Sequence, residues 1–85
     1  MDEMSIKESI RNFILTEFLP GEDSANLQDN TPLITSGILD SLATMQLVAF
    51  VEEKFSIEIG SHETDPEYIG TIDSIQHLVA SKLNA

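Results

Sequence analysis

"TSGILDSLATMQLVAFVEEKF", residues 35 to 55, decides how the chain is read. It opens on Gly37 and passes through Asp40-Ser41-Leu42 into a helical pattern. Asp is a favoured residue at the start of a helix, because its carboxylate accepts hydrogen bonds from the free N–H groups of the first turn. That makes Asp40 the predicted cap and Ser41 the first helical residue, with the helix ending near Phe55. At about 100° per residue its apolar side chains separate into two groups. Leu47, Val48, Val51 and Phe55 form a core stripe. Leu42, Met45 and Ala49 form a second, followed on that face by Glu52 with Glu53 beside it. A chain of 85 residues has too little protein to bury such a helix all round, so the second stripe is a candidate partner surface.

Working outward, residues 5 to 19 read as a helix with Ile6, Ile10, Phe13 and Ile14 on one face. Ser5 and Glu8 have the spacing of a capping box, and Pro20-Gly21 ends the segment. About twenty residues rich in Asp, Asn, Ser, Thr, Pro and Gly follow, a length unusual inside a compact domain. Leu27, Leu33, Ile34, Ile38 and Leu39 are placed to pin this loop to the core. Beyond Phe55, "SIEIG" is an extended connection, and "DPEYIG", residues 65 to 70, is one short helical turn stopped by Gly70. Thr71 caps a last helix along 72 to 83, with Ile72, Ile75, Val79 and Leu83 on one stripe. The expected fold is all-α: a four-helix bundle with a long first loop and a short third helix, in one domain spanning residues 1–85.

Composition restricts the function. Fifteen acids against four bases give a net charge of −11, which repels nucleic acid and anionic headgroups and attracts proteins with basic patches. The apolar fraction of 41% argues against disorder. No apolar run approaches the ~20 residues of a membrane span. Without cysteine there is no disulfide framework or thiolate metal site. The expectation is a cytoplasmic monomer.

Ser41 lacks the context of a catalytic nucleophile. Neither His62 nor His77 is placed beside it by a local motif, and the flanks are not G-x-S-x-G. "DSANLQDN", with Asp23, Asn26 and Asp29, lacks the ligand order of a calcium loop. The pairs Asp23-Ser24 and Asp73-Ser74 show that Asp-Ser alone carries no message. What remains is Ser41 as a substrate of another enzyme, or as ordinary helix-start chemistry.

The stretch "GILDSLATMQLVAFVEEKF" resembles the helix-II signature of acyl and peptidyl carrier proteins. The match comprises Gly37, Asp40, Ser41 and Leu42, followed by Leu47, Val48, Glu52, Glu53 and Phe55. It extends through "TPLITSG" and "DPEYIGTIDSI" to cover most of the chain. The resemblance implies that Ser41 receives 4'-phosphopantetheine from coenzyme A through a phosphopantetheinyl transferase. It further implies an adenylating acyl or aminoacyl ligase, and a downstream transferase or synthase with a basic docking patch, meeting the face of Asp40, Leu42, Met45, Ala49, Glu52 and Glu53. The protein would then be a carrier and no enzyme. Ala43 and Gln46 stand where carriers of bacterial fatty acid synthesis usually place acids. "TMQL" is more similar to stand-alone aminoacyl carriers such as the D-alanyl carrier protein. A stand-alone acyl or aminoacyl carrier, loaded by a dedicated ligase in secondary metabolism or a related pathway, is the expected function. The alternatives are a fatty acid synthesis carrier and an unmodified acidic interaction module.

Overall fold

In a computed structural model, which describes residues 3–21 and 26–83, the chain forms four α-helices in the predicted order. They are α1 (Glu3–Glu17), α2 (Ser41–Phe55), α3 (Pro66–Ile69) and α4 (Ile72–Leu83), with a 3₁₀ turn at Ser61–Glu63. No strand occurs among the described residues. One apolar cluster joins Ile6, Ile10 and Ile14 of α1 to Leu47 and Val51 of α2, Ile69 of α3, and Ile72, Ile75 and Val79 of α4. In α1, α2 and α4 these follow from helical spacing that returns a residue to the inward stripe every three or four positions, whereas the four-residue α3 supplies Ile69 alone.

Three expectations need correction. Helix α1 is already running at Glu3, so Ser5 lies inside it and cannot cap it. Glu8 instead lies 3.5 Å from the Arg11 guanidinium, one turn on. At the other end Phe18 and Leu19 both donate backbone hydrogen bonds to the Ile14 carbonyl, at 2.9 and 3.2 Å. That closing turn is what the periodicity reads as two further helical residues. In α4, Leu83 is 41% exposed; the buried positions end at Val79 because the last turn runs past the core, and Gln76 and Leu78 are buried instead. Phe13 is only partly buried and stacks on Phe50 of α2 with ring centroids 4.1 Å apart.

The long first connection is held at several points. Leu27, Leu33 and Leu39 are at most 1% exposed, whereas Ile34 and Ile38 pack on the cluster without being fully covered. The Leu33 N–H donates to the Gly70 carbonyl at 2.7 Å, and Asp73 N–H donates to the Asp29 carbonyl at 2.9 Å. Polar links add to this. The Asp29 carboxylate accepts from Lys7 at 3.1 Å and from Arg11, and Arg11 Nε donates to the Leu27 carbonyl at 3.0 Å. Lys7 also lies 3.3 Å from the Asp73 carboxylate, so one ammonium joins α1, the loop and α4. Residues 22–25, which include Asp23-Ser24, lie outside the described residues. Asp29, the other carboxylate of that stretch, is engaged by the two cations.

Gly70 ends α3, and its N–H donates to the Pro66 carbonyl at 2.8 Å. A β-carbon there would collide with that same oxygen. Gly70→Ala is expected to lower stability by about 1–3 kcal/mol through this overpacking, measured by urea unfolding. The second prediction concerns acid. Hydrogen bonding from Lys7 holds the Asp29 carboxyl below its ordinary value of 3.8. A depressed carboxyl contributes its stability fully above the ordinary value and loses it as pH falls through the lower, folded one. Unfolding free energy measured from pH 5 downward is therefore expected to fall less steeply in Asp29→Asn than in the wild type.

Candidate functional site

Two glycine-dependent and side-chain-dependent steps set the entrance to α2. Gly37 has φ +87°, the left-handed region, and its N–H donates to the Ile34 carbonyl at 3.1 Å. A glycine is favoured there because it has no β-carbon to strain. Leu39 N–H then returns to the Leu33 carbonyl at 2.8 Å, which seats Leu39 in the core and leaves Asp40 at the helix mouth. The Asp40 carboxylate accepts from Ala43 N–H at 2.8 Å while its carbonyl accepts from Thr44 N–H at 2.9 Å. Ser41 is thus the first residue of α2, as its sequence position predicts, and it is exposed.

An open depression of about 490 Å³ adjoins Ser41. Its walls come from Ile34 and Leu39 of the long loop, Thr44 and Met45 of α2, and Thr64 and Pro66 of the segment entering α3. Ser41, Thr44 and Met45 share one face at i, i+3 and i+4. The α3 side of the depression is fixed by two carboxylates. Glu52 accepts from Ile59 N–H at 2.8 Å, and Glu63 accepts from Gly60 N–H at 2.9 Å and lies 2.8 Å from the Lys82 ammonium. The Lys82 ammonium and then the Gly60 N–H hold the Glu63 carboxyl below its ordinary value.

The residues of the expected docking face divide. Leu42 and Met45 are 69% and 62% exposed, large values for apolar side chains, and Ala49 and Glu53 are exposed with them. Glu52 is half-buried and its carboxylate serves the backbone after α2. Thr44 was findable in the sequence, being one turn after Ser41. Thr64 and Pro66 were not, because only tertiary packing brings them to α2.

Ser41 presents an exposed hydroxyl at the edge of the depression. No histidine lines the depression. His77 is exposed and lies 3.8 Å from Asp73, in a separate depression with Glu67 and Tyr68. No group of three or more His, Asp or Glu side chains is placed to hold a metal ion among the described residues. Ser74, the serine of the other described Asp-Ser pair, is half-buried and accepts from the Thr71 hydroxyl at 2.9 Å. Ser41 alone of the two stands clear.

No protein-family model matches the chain. It is 35% identical over 74 residues to "Probable acyl carrier protein PigG" of Serratia sp. (strain ATCC 39006), covering 87% of this chain and 84% of the relative. The chain belongs to the acyl carrier protein family. This carrier is also 34% identical over 68 residues to the D-alanyl carrier protein of Enterococcus faecalis (strain ATCC 700802 / V583), covering 80% of this chain and 85% of that one. A solved chain in "Crystal structure of FAD-dependent dehydrogenase" superposes on the carrier with a TM-score of 0.74 at 33% identity, covering 82% of this chain and 97% of the other. The all-α fold expected from the sequence is the fold observed. No helix among the described residues is long and apolar enough to cross a membrane.

The cap can be tested directly. Asp40→Ala removes the acceptor for the Ala43 N–H and is expected to cost about 0.5–2 kcal/mol in chemical unfolding. Asp40→Asn, which keeps an acceptor oxygen, should recover most of that loss.

Proposed function

We propose that this carrier holds acyl or aminoacyl groups as thioesters on a 4'-phosphopantetheine arm attached to Ser41. The observation that carries the proposal is the exposed Ser41 hydroxyl at the first position of α2, opening on an adjacent depression. The Ser41 oxygen would bond to the phosphorus that bears pantetheine in coenzyme A's diphosphate, the bond from that phosphorus to the bridging oxygen would break, 3',5'-ADP would leave, and the hydroxyl proton would pass to a base of the visiting transferase. Ser41 then lies at the positive end of the α2 dipole, which favours the phosphodiester's negative charge. When bound, the arm supplies the thiol that bears the cargo. The chain supplies a rigid base and an address, and the reactions belong to visiting enzymes.

Leu42, Met45 and Ala49 would meet those enzymes, with Asp40 and Glu53 drawing their basic patches. Glu52 contributes charge while its carboxylate also holds the Ile59 backbone. Attraction of this kind is screened beyond about 8 Å at physiological salt, which suits fast and weak docking. A phosphopantetheinyl transferase would install the arm and an adenylating ligase would load it. The D-alanyl carrier relatives favour an aminoacyl cargo. The solved chain that superposes on this one is itself shorter than 85 residues, yet the crystal structure that holds it is that of a FAD-dependent dehydrogenase. A flavin-dependent dehydrogenase is therefore a fitting downstream partner, acting on the loaded carrier.

Incubation with coenzyme A, Mg²⁺ and a broad-specificity transferase is expected to raise the mass of the wild type by one phosphopantetheine. Ser41→Ala should show no gain. An unchanged wild-type mass would instead support the unmodified interaction module. Glu53→Lys is expected to slow arm installation several-fold at low salt and leave the unfolding midpoint unchanged; equal initial rates would remove Glu53 from the docking face.

A further inference from the structure

Met45 stands one turn after Ser41 on the same face of α2, and it walls the adjoining depression. It is 62% exposed. A thioether side chain suits a surface that several enzymes visit in turn, because it is apolar and adapts its shape to each. It is also reactive. Methionine sulfur takes up oxygen to give a sulfoxide, a polar and chiral side chain that disrupts methionine-bearing interfaces.

Sulfur is scarce in this chain, which has no cysteine and three methionines. Met1 lies outside the described residues, and Met4 is 70% exposed on α1. Met4 lines no wall of the depression, so the two described sulfurs are alike in access and differ in place. Before an arm is attached, no thiol of the chain intercepts an oxidant. Nor does the net charge of −11 keep hydrogen peroxide away, because that oxidant is neutral.

Resting on the carrier reading above, we infer that Met45 is an oxidation site at which peroxide blocks enzyme docking beside Ser41. A lone pair of the Met45 sulfur attacks one peroxide oxygen, the O–O bond breaks and a sulfur–oxygen bond forms. The other oxygen leaves as water with both protons, so sulfur loses two electrons and peroxide gains them. On the free protein the new dipole is hydrated. Covered by an apolar partner surface it would lose that water without gaining a donor, which weakens docking about tenfold. The bundle keeps its stability, because the exposed Met45 side chain is no part of the core. Reductases specific for each sulfoxide epimer reverse the change.

The unmodified full chain is treated with hydrogen peroxide, catalase removes the excess, and peptide mass spectrometry locates each sulfoxide by its gain of one oxygen. Arm installation by a broad-specificity phosphopantetheinyl transferase is then followed, each protein against its own untreated form. Oxidised wild type and oxidised Met4→Leu are expected to show a KM raised about tenfold with kcat nearly unchanged, the signature of lost binding. Oxidised Met45→Leu, bearing its sulfoxide at Met4, should keep the KM of its untreated form. The thermal midpoint of oxidised wild type should stay within about 2 °C, and treatment with both reductases should restore its KM. The inference is overturned by an unchanged KM with Met45 fully oxidised, or by an equal rise in oxidised Met45→Leu. Oxidation of Met4 without Met45 overturns it as well. Untreated wild type that never gains the arm overturns the carrier reading itself, so the two failures are distinct.

Discussion

About twenty residues of irregular chain must be held against the helices, and three leucines do most of that holding. Leu27, Leu33 and Leu39 are spaced along the loop at intervals of six residues and each is buried to 1% exposure or less. Fully burying a leucine contributes roughly 1.5–3 kcal/mol. Between these anchors the polar backbone is joined to α3 and α4 through the Leu33–Gly70 and Asp73–Asp29 hydrogen bonds. The clasp of Lys7 and Arg11 on Asp29 ties the same loop to α1. The mouth of α2 depends on this arrangement, because Leu39 sets where Asp40 stands and Asp40 sets where Ser41 points.

Charge is distributed to match. Lys7, Arg11 and Lys82 are drawn into ion pairs with Asp29, Asp73 and Glu63. Lys54 stands in the last turn of α2, roughly 20 Å along the axis from Ser41. Lys82, on the α3 side of the depression, is neutralised by Glu63, so no unpaired Lys or Arg stands beside Ser41 among the described residues. A net charge of −11 attracts basic surfaces and repels polyanions.

The helices were legible in the sequence because each buries a stripe with a regular period, and α2 was legible to the residue because Asp40 and Ser41 mark its start chemically. Boundaries without such a marker were missed. Ser5 and Glu8 have the spacing of a capping box, yet nothing in that spacing excludes an extra turn upstream. Leu83 continues the period of α4, but period says nothing of where the neighbouring helices stop. The site divides the same way. Ser41 and its exposed neighbours Leu42 and Met45 follow from one helix, whereas Thr64 and Pro66 join them through packing between segments distant in sequence. The role of Glu52 was half visible: its charge is plain, but its bond to Ile59 depends on how the chain turns after α2.

Tyr68 has an optical consequence. The chain contains one tyrosine and no tryptophan, and that tyrosine sits in α3, next but one to the Pro66 that walls the depression, with 37% of its surface open to water. Emission excited at wavelengths beyond the absorption of the four phenylalanines thus originates at a single phenol on the smallest helix. A displacement of α3 is reported by the native chromophore, free of any label or background from elsewhere in the polypeptide.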